Sequence, residues 1–198
     1  MRTTTGEVLG ATVDSIYAYR PDVVAATAWL FTHERLLEIV SRLKALMPQL
    51  TVILGGPEFL GDNEHFLRTN RFISAVVRGE GENALPQLLR SIEKIEDWNS
   101  IQGLCWLDPI EDRYHDNGIA RIEDFSSLKY PETSIFFNWE KPFVQLETSR
   151  GCFNTCAFCV SGGEKPVRFQ SIGQVRERLE DICSHGIKDI RVLDRTFN

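Results

Sequence analysis

The chain has 198 residues, of which 42% are hydrophobic and 25% are charged, and its formal net charge is −6 at pH 7. These values are typical of one globular domain or two small ones, and the negative charge argues against a nucleic-acid-binding surface, which needs a basic patch. No stretch approaches the roughly 20 apolar residues that cross a bilayer, and no apolar segment follows Arg2 as a secretion signal would. With five cysteines and no such signal, we expect a protein of the reducing cytoplasm that binds no nucleic acid and has no membrane span.

The first hundred residues alternate between helical and strand patterns. Apolar residues recur at helical spacing over residues 6–19, 33–47, 63–71 and 84–95, with Pro86 in the first turn of the last helix. Short apolar runs predict strands over residues 23–28, 51–54 and 73–77, the first of them buried on both faces. We therefore predict that residues 1–100 form a flavodoxin-like or Rossmann-like parallel sheet covered by helices. Only five residues precede the first helix, so we expect the first strand–helix unit to be missing.

Ligands of such sheets bind beyond the carboxyl ends of the strands. The residues predicted to lie there are Thr27 and Trp29, then Gly55, Gly56, Pro57 and Glu58, then Gly79, Glu80 and Gly81. Glycine lets the chain bend sharply and lets a flat ligand come close. The acidic residues, and the absence of a following Lys-Ser/Thr pair, exclude a phosphate-binding loop. Trp29 is predicted either to support a flat ligand or to plug the end of the sheet.

Residues 101–142 have the pattern of a hairpin followed by a linker between two domains. The hairpin is predicted from strands over 101–107 and about 118–122. The connection between them runs from Asp108-Pro109 to Asn117-Gly118, and an Asn-Gly pair favours left-handed turn conformations. An extended linker follows, with Phe136, Phe137 and Trp139 as its anchors. Two cysteines in apolar patterns, Cys105 and Cys183, are predicted to be buried free thiols.

Residues 143–198 repeat the strand–helix–strand pattern. A strand over 143–148 leads into a cysteine-rich loop, a helix over 172–185 begins after the capping residue Ser171, and a strand over 190–193 ends at Asp194. A loop with reactive residues at the carboxyl end of the first strand is typical of a (β/α) barrel. We predict the start of such a barrel, truncated because too few residues remain to close it, and a flexible segment at Gly162-Gly163.

The cysteine-rich loop holds Cys152, Cys156 and Cys159, a Cys-x3-Cys-x2-Cys spacing. Thiolates are soft ligands that suit zinc and iron–sulfur clusters. A structural zinc site normally has four protein ligands, and no fourth Cys or His follows at zinc-ribbon spacing. Three ligands leave one iron of a four-iron cluster open to a small molecule. A zinc site and a chance group of thiols remain the alternatives.

This loop, with the aromatic Phe158 directly before the last cysteine, resembles the signature of the radical S-adenosylmethionine (SAM) enzymes. The resemblance implies a [4Fe–4S] cluster on the three cysteines, SAM on its open iron, and one-electron cleavage of SAM to a 5′-deoxyadenosyl radical. It implies that Phe158 lies along the adenine. It also implies that Asp194 helps to seat the SAM amino group, unless Asp194 forms a plain salt bridge. A small-molecule substrate and an electron donor such as flavodoxin or ferredoxin are the implied partners.

The strand–Gly-Gly-Pro-Glu and Gly-Glu-Gly-Glu turns resemble the cobalamin-binding domain of one branch of radical SAM enzymes. That branch contains the anaerobic Mg-protoporphyrin IX monomethyl ester cyclase and related methylases, so methylation or oxidative cyclisation is implied. Two departures are visible: the cobalt-binding Asp-x-His-x-x-Gly motif is absent, and Thr27-Ala28-Trp29 stands where Ser-x-Leu is expected. The open alternatives are a radical SAM enzyme that inserts sulfur without cobalamin, a doubly wound domain that binds nothing, and a zinc-stabilised binding module.

Overall fold

The computed structural model describes residues 5–159 and 164–195. The chain divides into two compact units, Met1–Arg121 and Ile122–Asn198. Within the described residues, no helix combines the length and the apolar character that a membrane crossing requires.

The first unit is built on a five-stranded sheet with its strands in sequential order. The strands are β1 (Val23–Thr27), β2 (Thr51–Gly55), β3 (Ala75–Val77), β4 (Leu104–Leu107) and β5 (Tyr114–Asp116). The first three run parallel, and β4 and β5 form an antiparallel hairpin beside β3. The predicted α/β fold with a parallel sheet is therefore confirmed, and the hairpin extends the sheet. The domain boundaries predicted at residues 100 and 142 stay predictions.

Helices cover both faces of this sheet. Successive side chains of β2 accordingly belong to two different hydrophobic cores, one on each face. The helices are α1 (Thr5–Ala18), α2 (His33–Leu46), α3 (Glu64–Thr69) and α4 (Gly81–Arg90). Val52 and Leu54 belong to a core that includes buried residues of α1, α2 and α3. Ile53, between them, belongs to a second core that includes Ala84 and Leu88 of α4. Successive residues of a strand point to opposite faces, so β2 is buried on both, as its apolar run predicts.

The prediction that the first strand is buried on both faces is wrong. Ala25 and Thr27 of β1 are exposed. No strand in the described part of the chain pairs with β1 except β2, so β1 lies at the edge of this sheet. A short apolar run does not distinguish an edge strand from a central one, because both carry the same residue types.

The last helix of the first unit begins earlier than predicted. α4 starts at Gly81, directly after the turn at Gly79 and Glu80, and ends at Arg90. Pro86 therefore lies inside the helix, where its missing N–H removes one helical hydrogen bond, and not in the first turn. The residues that were predicted to continue the helix lead into a 3₁₀ segment, Ile95–Ser100.

The second strand of the predicted hairpin was placed too late. β5 ends at Asp116, and the hairpin turn is organised by Asp108, whose Oδ1 accepts hydrogen bonds from the amides of Ile110 and Glu111, both at 2.8 Å. These amides hold the pKa of the Asp108 carboxyl below its usual range. Ala120, predicted to lie in the second strand, forms a parallel bridge to Gly79 instead.

The second unit contains one parallel strand–helix–strand repeat. β6 (Phe143–Leu146) pairs in parallel with β9 (Asp189–Val192), and α5 (Ile172–Ser184) connects them in the chain. Between β6 and α5, β7 (Ser149–Arg150) and β8 (Arg168–Phe169) form a two-residue antiparallel ladder. The predicted strands and helix are confirmed. The predicted cap is confirmed as well: the Ser171 hydroxyl accepts from the Gln174 amide at 3.2 Å, and Gln174 Oε1 accepts from the Ser171 amide at 3.1 Å.

A buried ion pair joins α5 to the preceding segment of the second unit. Arg178 Nη2 donates to Glu132 Oε1 at 2.8 Å, with 5% and 3% of the two side chains exposed. Arg178 Nη1 also donates to the Glu147 carbonyl at 2.9 Å and to Gln170 Oε1 at 3.2 Å. Its guanidinium lies 4.5 Å from the centre of the Tyr130 ring. One side chain therefore ties α5 to the segment before β6, to the end of β6 and to the residue after β8.

The predicted burial of the linker aromatics and of the two isolated cysteines is confirmed for some of these residues and wrong for others. Phe137 and Trp139 pack on the core of the second unit, but Phe136 is exposed. Cys105 is buried as predicted, and burial raises the pKa of its thiol to about 11, so the thiol stays protonated near neutral pH. Cys183, also predicted to be buried, is exposed on α5, because the core on this helix is formed by Ile182 and Leu179.

Candidate functional site

The carboxyl edge of the first unit brings together two of the segments that the sequence predicts there. The Ala28 amide donates to the Gly55 carbonyl at 2.7 Å, which continues the ladder between β1 and β2 by one residue. Gly56 follows with a φ of +107°, and a Cβ at this position would lie 2.6 Å from the Ala28 carbonyl oxygen and 2.8 Å from Thr27 Cγ2. Thr27, Gly55 and Gly56 are thus packed against each other.

The third segment, at Gly79, has the same geometry against a different neighbour. Gly79 has a φ of +98°, and a Cβ there would lie 2.3 Å from the Ala120 carbonyl oxygen. The amide of Glu80 donates to that same oxygen at 2.9 Å, and Gly81 begins α4. Both turns therefore require glycine because another backbone lies against them. Whether they also admit a flat ligand stays a prediction.

Pro57 and Glu58 continue from the Gly55-Gly56 turn into the 3₁₀ segment Pro57–Phe59. Glu58 is exposed, whereas Phe59 is buried against the Phe66 ring, with 4.9 Å between the ring centroids. Phe59 fixes this segment to the core, so the acidic side chain is left at the surface of the edge.

An exposed apolar segment, Trp29-Leu30-Phe31, follows β1 at this edge, and we call it the apolar border. Trp29 is 54% exposed and Phe31 95% exposed, so Trp29 does not plug the end of the sheet. Its backbone is held in a turn, because the Thr32 amide donates to the Trp29 carbonyl at 2.7 Å. Leu30 and Phe31 were not among the predicted site residues, although three consecutive large apolar residues in a loop were the available signal.

The cysteine-rich loop begins one residue after β7. Cys152 is half-buried, and its amide donates to the Glu164 carbonyl at 3.0 Å, while its Sγ accepts from the Asn154 amide at 3.4 Å. Cys156 and Cys159 are exposed, as is Phe158. In the described ranges, no group of three or more His, Cys, Asp or Glu side chains is arranged to hold a metal ion. The predicted flexible segment at Gly162-Gly163 lies outside the described residues.

The chemistry of this donor set fits an iron–sulfur cluster even so. All three cysteines are free thiols within eight consecutive residues, and two of them are open to solvent. Free, accessible thiols on one loop are what cluster assembly requires, because the thiolate is the metal ligand. The assignment of Cys152, Cys156 and Cys159 as ligands remains a prediction.

Two charged residues flank the entry to this loop. Arg150 pairs with Glu147 at 2.8 Å, and its guanidinium lies 5.1 Å from the centre of the Phe125 ring. Asp194 follows β9, and its carboxylate accepts hydrogen bonds from the Thr148 and Ser149 amides at 2.7 and 3.1 Å. The role of Asp194 toward SAM stays a prediction.

Comparison with known proteins finds similarity to a known domain family within the first unit. Residues 7–89 match the B12-binding domain family. An uncharacterized methyltransferase of Pyrococcus horikoshii is 30% identical over 198 aligned positions, which cover 92% of this chain and 41% of the relative. The anaerobic magnesium-protoporphyrin IX monomethyl ester cyclase of Rubrivivax gelatinosus is 27% identical over 161 positions, which cover 74% of this chain and 28% of that enzyme.

A solved structure extends the similarity to both units. The cobalamin-dependent SAM radical enzyme OxsB, with aqua-cobalamin and SAM bound, superposes with a TM-score of 0.74 and 22% identity. The match covers 98% of this chain and 28% of OxsB. The chain is similar to the cobalamin-binding radical SAM enzymes. This confirms the predicted resemblance to cobalamin-binding radical SAM enzymes and to the group with the Mg-protoporphyrin cyclase. The chain spans less than half the length of these relatives.

Proposed function

We propose that the full-length protein is a cobalamin-dependent radical SAM enzyme that methylates an unactivated carbon of a small molecule. The observation that carries this proposal is the Cys-x3-Cys-x2-Cys loop at the carboxyl end of a strand in a parallel repeat, in one chain with a B12-binding domain. Reactive groups of parallel strand–helix repeats lie at this end of the strands. The methyltransferases among the relatives favour methyl transfer.

In this proposal Cys152, Cys156 and Cys159 hold a [4Fe–4S] cluster. When bound and reduced, the cluster supplies the single electron that breaks the C5′–S bond of SAM, which gives methionine and a 5′-deoxyadenosyl radical. Phe158 is exposed and available to lie along the adenine. An external one-electron donor such as a flavodoxin or ferredoxin reduces the cluster, and this chemistry belongs in the cytoplasm.

Cobalamin is proposed to lie at the carboxyl edge of the first unit. The corrin ring presents a broad and mostly apolar face, and the apolar border presents Trp29, Leu30 and Phe31 to solvent there. The turns at Gly55-Gly56 and Gly79-Glu80-Gly81 form the rest of this edge, with Thr27, Pro57 and Glu58. The absence of an Asp-x-His-x-x-Gly motif means that no histidine of that motif would bind the cobalt.

Oxidative cyclisation is the second candidate reaction, because the Rubrivivax gelatinosus relative is a cyclase. Both reactions begin with the same cleavage of SAM. They differ in whether the product gains a methyl group or a ring, so mass spectrometry of the product separates them.

Anaerobic reconstitution tests the proposed cofactors. The full-length protein, loaded with iron, sulfide and hydroxocobalamin, is expected to bind about four iron and four sulfide per chain. One cobalamin per chain is expected as well. With SAM and a reductant, it is expected to release 5′-deoxyadenosine, which is measured by liquid chromatography.

The open alternatives predict different results in the same experiment. One zinc per chain without sulfide would identify a zinc-stabilised module and contradict the proposal. A cluster and 5′-deoxyadenosine without cobalamin binding would identify a radical SAM enzyme of the sulfur-inserting kind.

We expect Trp29→Ala to weaken cobalamin binding about tenfold, because covering a half-exposed indole contributes about 1.5 kcal/mol. The measurement is a spectroscopic titration of the full-length protein with hydroxocobalamin. Tyr19→Ala is the matched control: Tyr19 is also strongly exposed, but it precedes β1 and lies toward the amino ends of the strands. Equal affinity of the two variants would remove the apolar border from the cobalamin site.

A further inference from the structure

The carboxylate of Asp194 accepts hydrogen bonds from two other residues of the chain. Oδ1 accepts hydrogen bonds from the amides of Thr148 and Ser149, at 2.7 and 3.1 Å. Oδ2 accepts a third from the Thr148 hydroxyl. Asp194 is half-buried and Ser149 is buried. Hydrogen bonds to an ionised acceptor are about twice as strong as neutral ones, so this contact is a strong local restraint.

These two residues lie where the chain changes its pairing partner. β6 pairs with β9 up to Leu146, and the Leu193 amide still donates to the Leu146 carbonyl at 2.9 Å. From Ser149 onward the chain pairs with β8. The amides at the switch therefore need an acceptor outside both ladders, and Asp194 supplies it.

Residues 148–149, where the pairing partner changes, lie at the base of the cysteine-rich loop. The ladder between β7 and β8 closes that loop at its base, and the Gln170 amide donates to the Thr148 carbonyl at 2.9 Å. Cys152 follows three residues after Ser149, and its amide bonds to Glu164 on the returning side. The position of Cys152 thus depends on where residues 148–150 are held.

We infer that Asp194 is a positioning residue for the cluster. It fixes the entry to the cysteine-rich loop through Thr148 and Ser149, and acts on the cluster through them. This inference rests on the proposed function and deepens it. It differs from the expectation that the negative charge of Asp194 binds the SAM amino group, because positioning needs acceptor atoms and direct binding needs the charge.

The variants Asp194→Asn and Asp194→Ala separate the two roles. An asparagine oxygen still accepts from both amides, and its NH₂ group can donate to the Thr148 hydroxyl, so the geometry is kept while the charge is lost. Alanine removes all three hydrogen bonds. Thr148→Val removes the hydroxyl donor alone, and circular dichroism shows whether each variant folds.

Three readouts are taken on the full-length protein: amide hydrogen exchange at residues 148–149 without cluster, iron and sulfide content after anaerobic reconstitution, and SAM affinity. Asp194→Asn is expected to load its cluster like the wild type and to keep SAM affinity within about threefold. Its amide exchange is expected to be less than about tenfold faster than in the wild type, because its neutral hydrogen bonds are weaker than the charged ones they replace. Asp194→Ala is expected to exchange at least about tenfold faster and to lose most of its cluster, because all three hydrogen bonds that hold residues 148–149 are removed. Thr148→Val is expected to lie between the two.

Two results would overturn the inference. One is wild-type exchange and cluster content in Asp194→Ala. The other is a loss of SAM affinity of about tenfold or more in Asp194→Asn with the cluster intact, which assigns the role to charge. Failure of the proposed function would be seen in the wild-type protein as absent sulfide, while the exchange readout, which needs no cluster, still tests the restraint by Asp194.

Discussion

Replacing Cys156 by alanine is expected to abolish cluster assembly. After anaerobic reconstitution, the full-length Cys156→Ala protein should hold almost none of the iron and sulfide of the wild type and show no brown absorbance. The physical reason is that Cys152, Cys156 and Cys159 are the proposed protein ligands, and two thiolates do not hold a four-iron cluster that already lacks a fourth protein ligand. Iron and sulfide analysis and the visible spectrum are the measurements.

Cys183→Ala is the matched control for this variant. Cys183 is also a free, exposed cysteine of the second unit, but it lies on α5, outside the cysteine-rich loop. Its replacement should leave the iron and sulfide content unchanged. Full loading of Cys156→Ala would show that the loop does not hold the cluster, and with that the proposed function would fail.

Replacing Arg178 by methionine is expected to lower the free energy of unfolding by about 3–5 kcal/mol, because it leaves a buried carboxylate without its partner. The Glu132 side chain is 3% exposed, and its Oε2 already has no hydrogen-bond partner among the described residues. The Glu147 carbonyl and Gln170 would also lose a donor. Urea unfolding of the full-length protein, with amide hydrogen exchange in α5 as the local probe, measures the change.

Two further variants make the Arg178 experiment decisive. The double variant Arg178→Met with Glu132→Leu should recover most of the stability, because no charge is left buried. Arg42→Met breaks the Arg42–Glu38 pair, which is shorter, at 2.6 Å, but about half exposed on both sides. That loss should be about 1 kcal/mol or less, since solvent screens exposed pairs. Equal losses in Arg178→Met and Arg42→Met would contradict the importance of burial.

The parts of the fold that the sequence predicted well are those with strong local patterns. β2 is defined by a short apolar run, α2 by apolar residues at helical spacing, and the Ser171 cap by a serine three residues before a glutamine. Errors arose where non-local pairing decides the structure. The 118–122 segment has a strand-like composition, yet Ala120 pairs with Gly79, about 40 residues away, a pairing that no local window contains.

The candidate site also contains features that local sequence predicts and features that depend on non-local pairing. Cys152, Cys156 and Cys159 are recognisable as candidate ligands from their spacing alone, because the spacing of residues on one tight loop is a local feature. The partners of Asp194 were not predictable, because Thr148 lies 46 residues away and meets Asp194 only through the parallel pairing of β6 and β9. Leu30 and Phe31 were left out of the predicted site residues because large apolar residues are usually assigned to cores.

The packing at Gly56 and Gly79 limits how the proposed cobalamin site can be engineered. Each glycine is required because the carbonyl of a neighbouring backbone segment lies against it, that of Ala28 at Gly56 and that of Ala120 at Gly79. Any side chain introduced at either position would strain the main chain, whether or not a ligand is bound. Libraries that probe the proposed cobalamin site should therefore diversify positions 29–31 and keep both glycines, so that changes in affinity are not confused with misfolding.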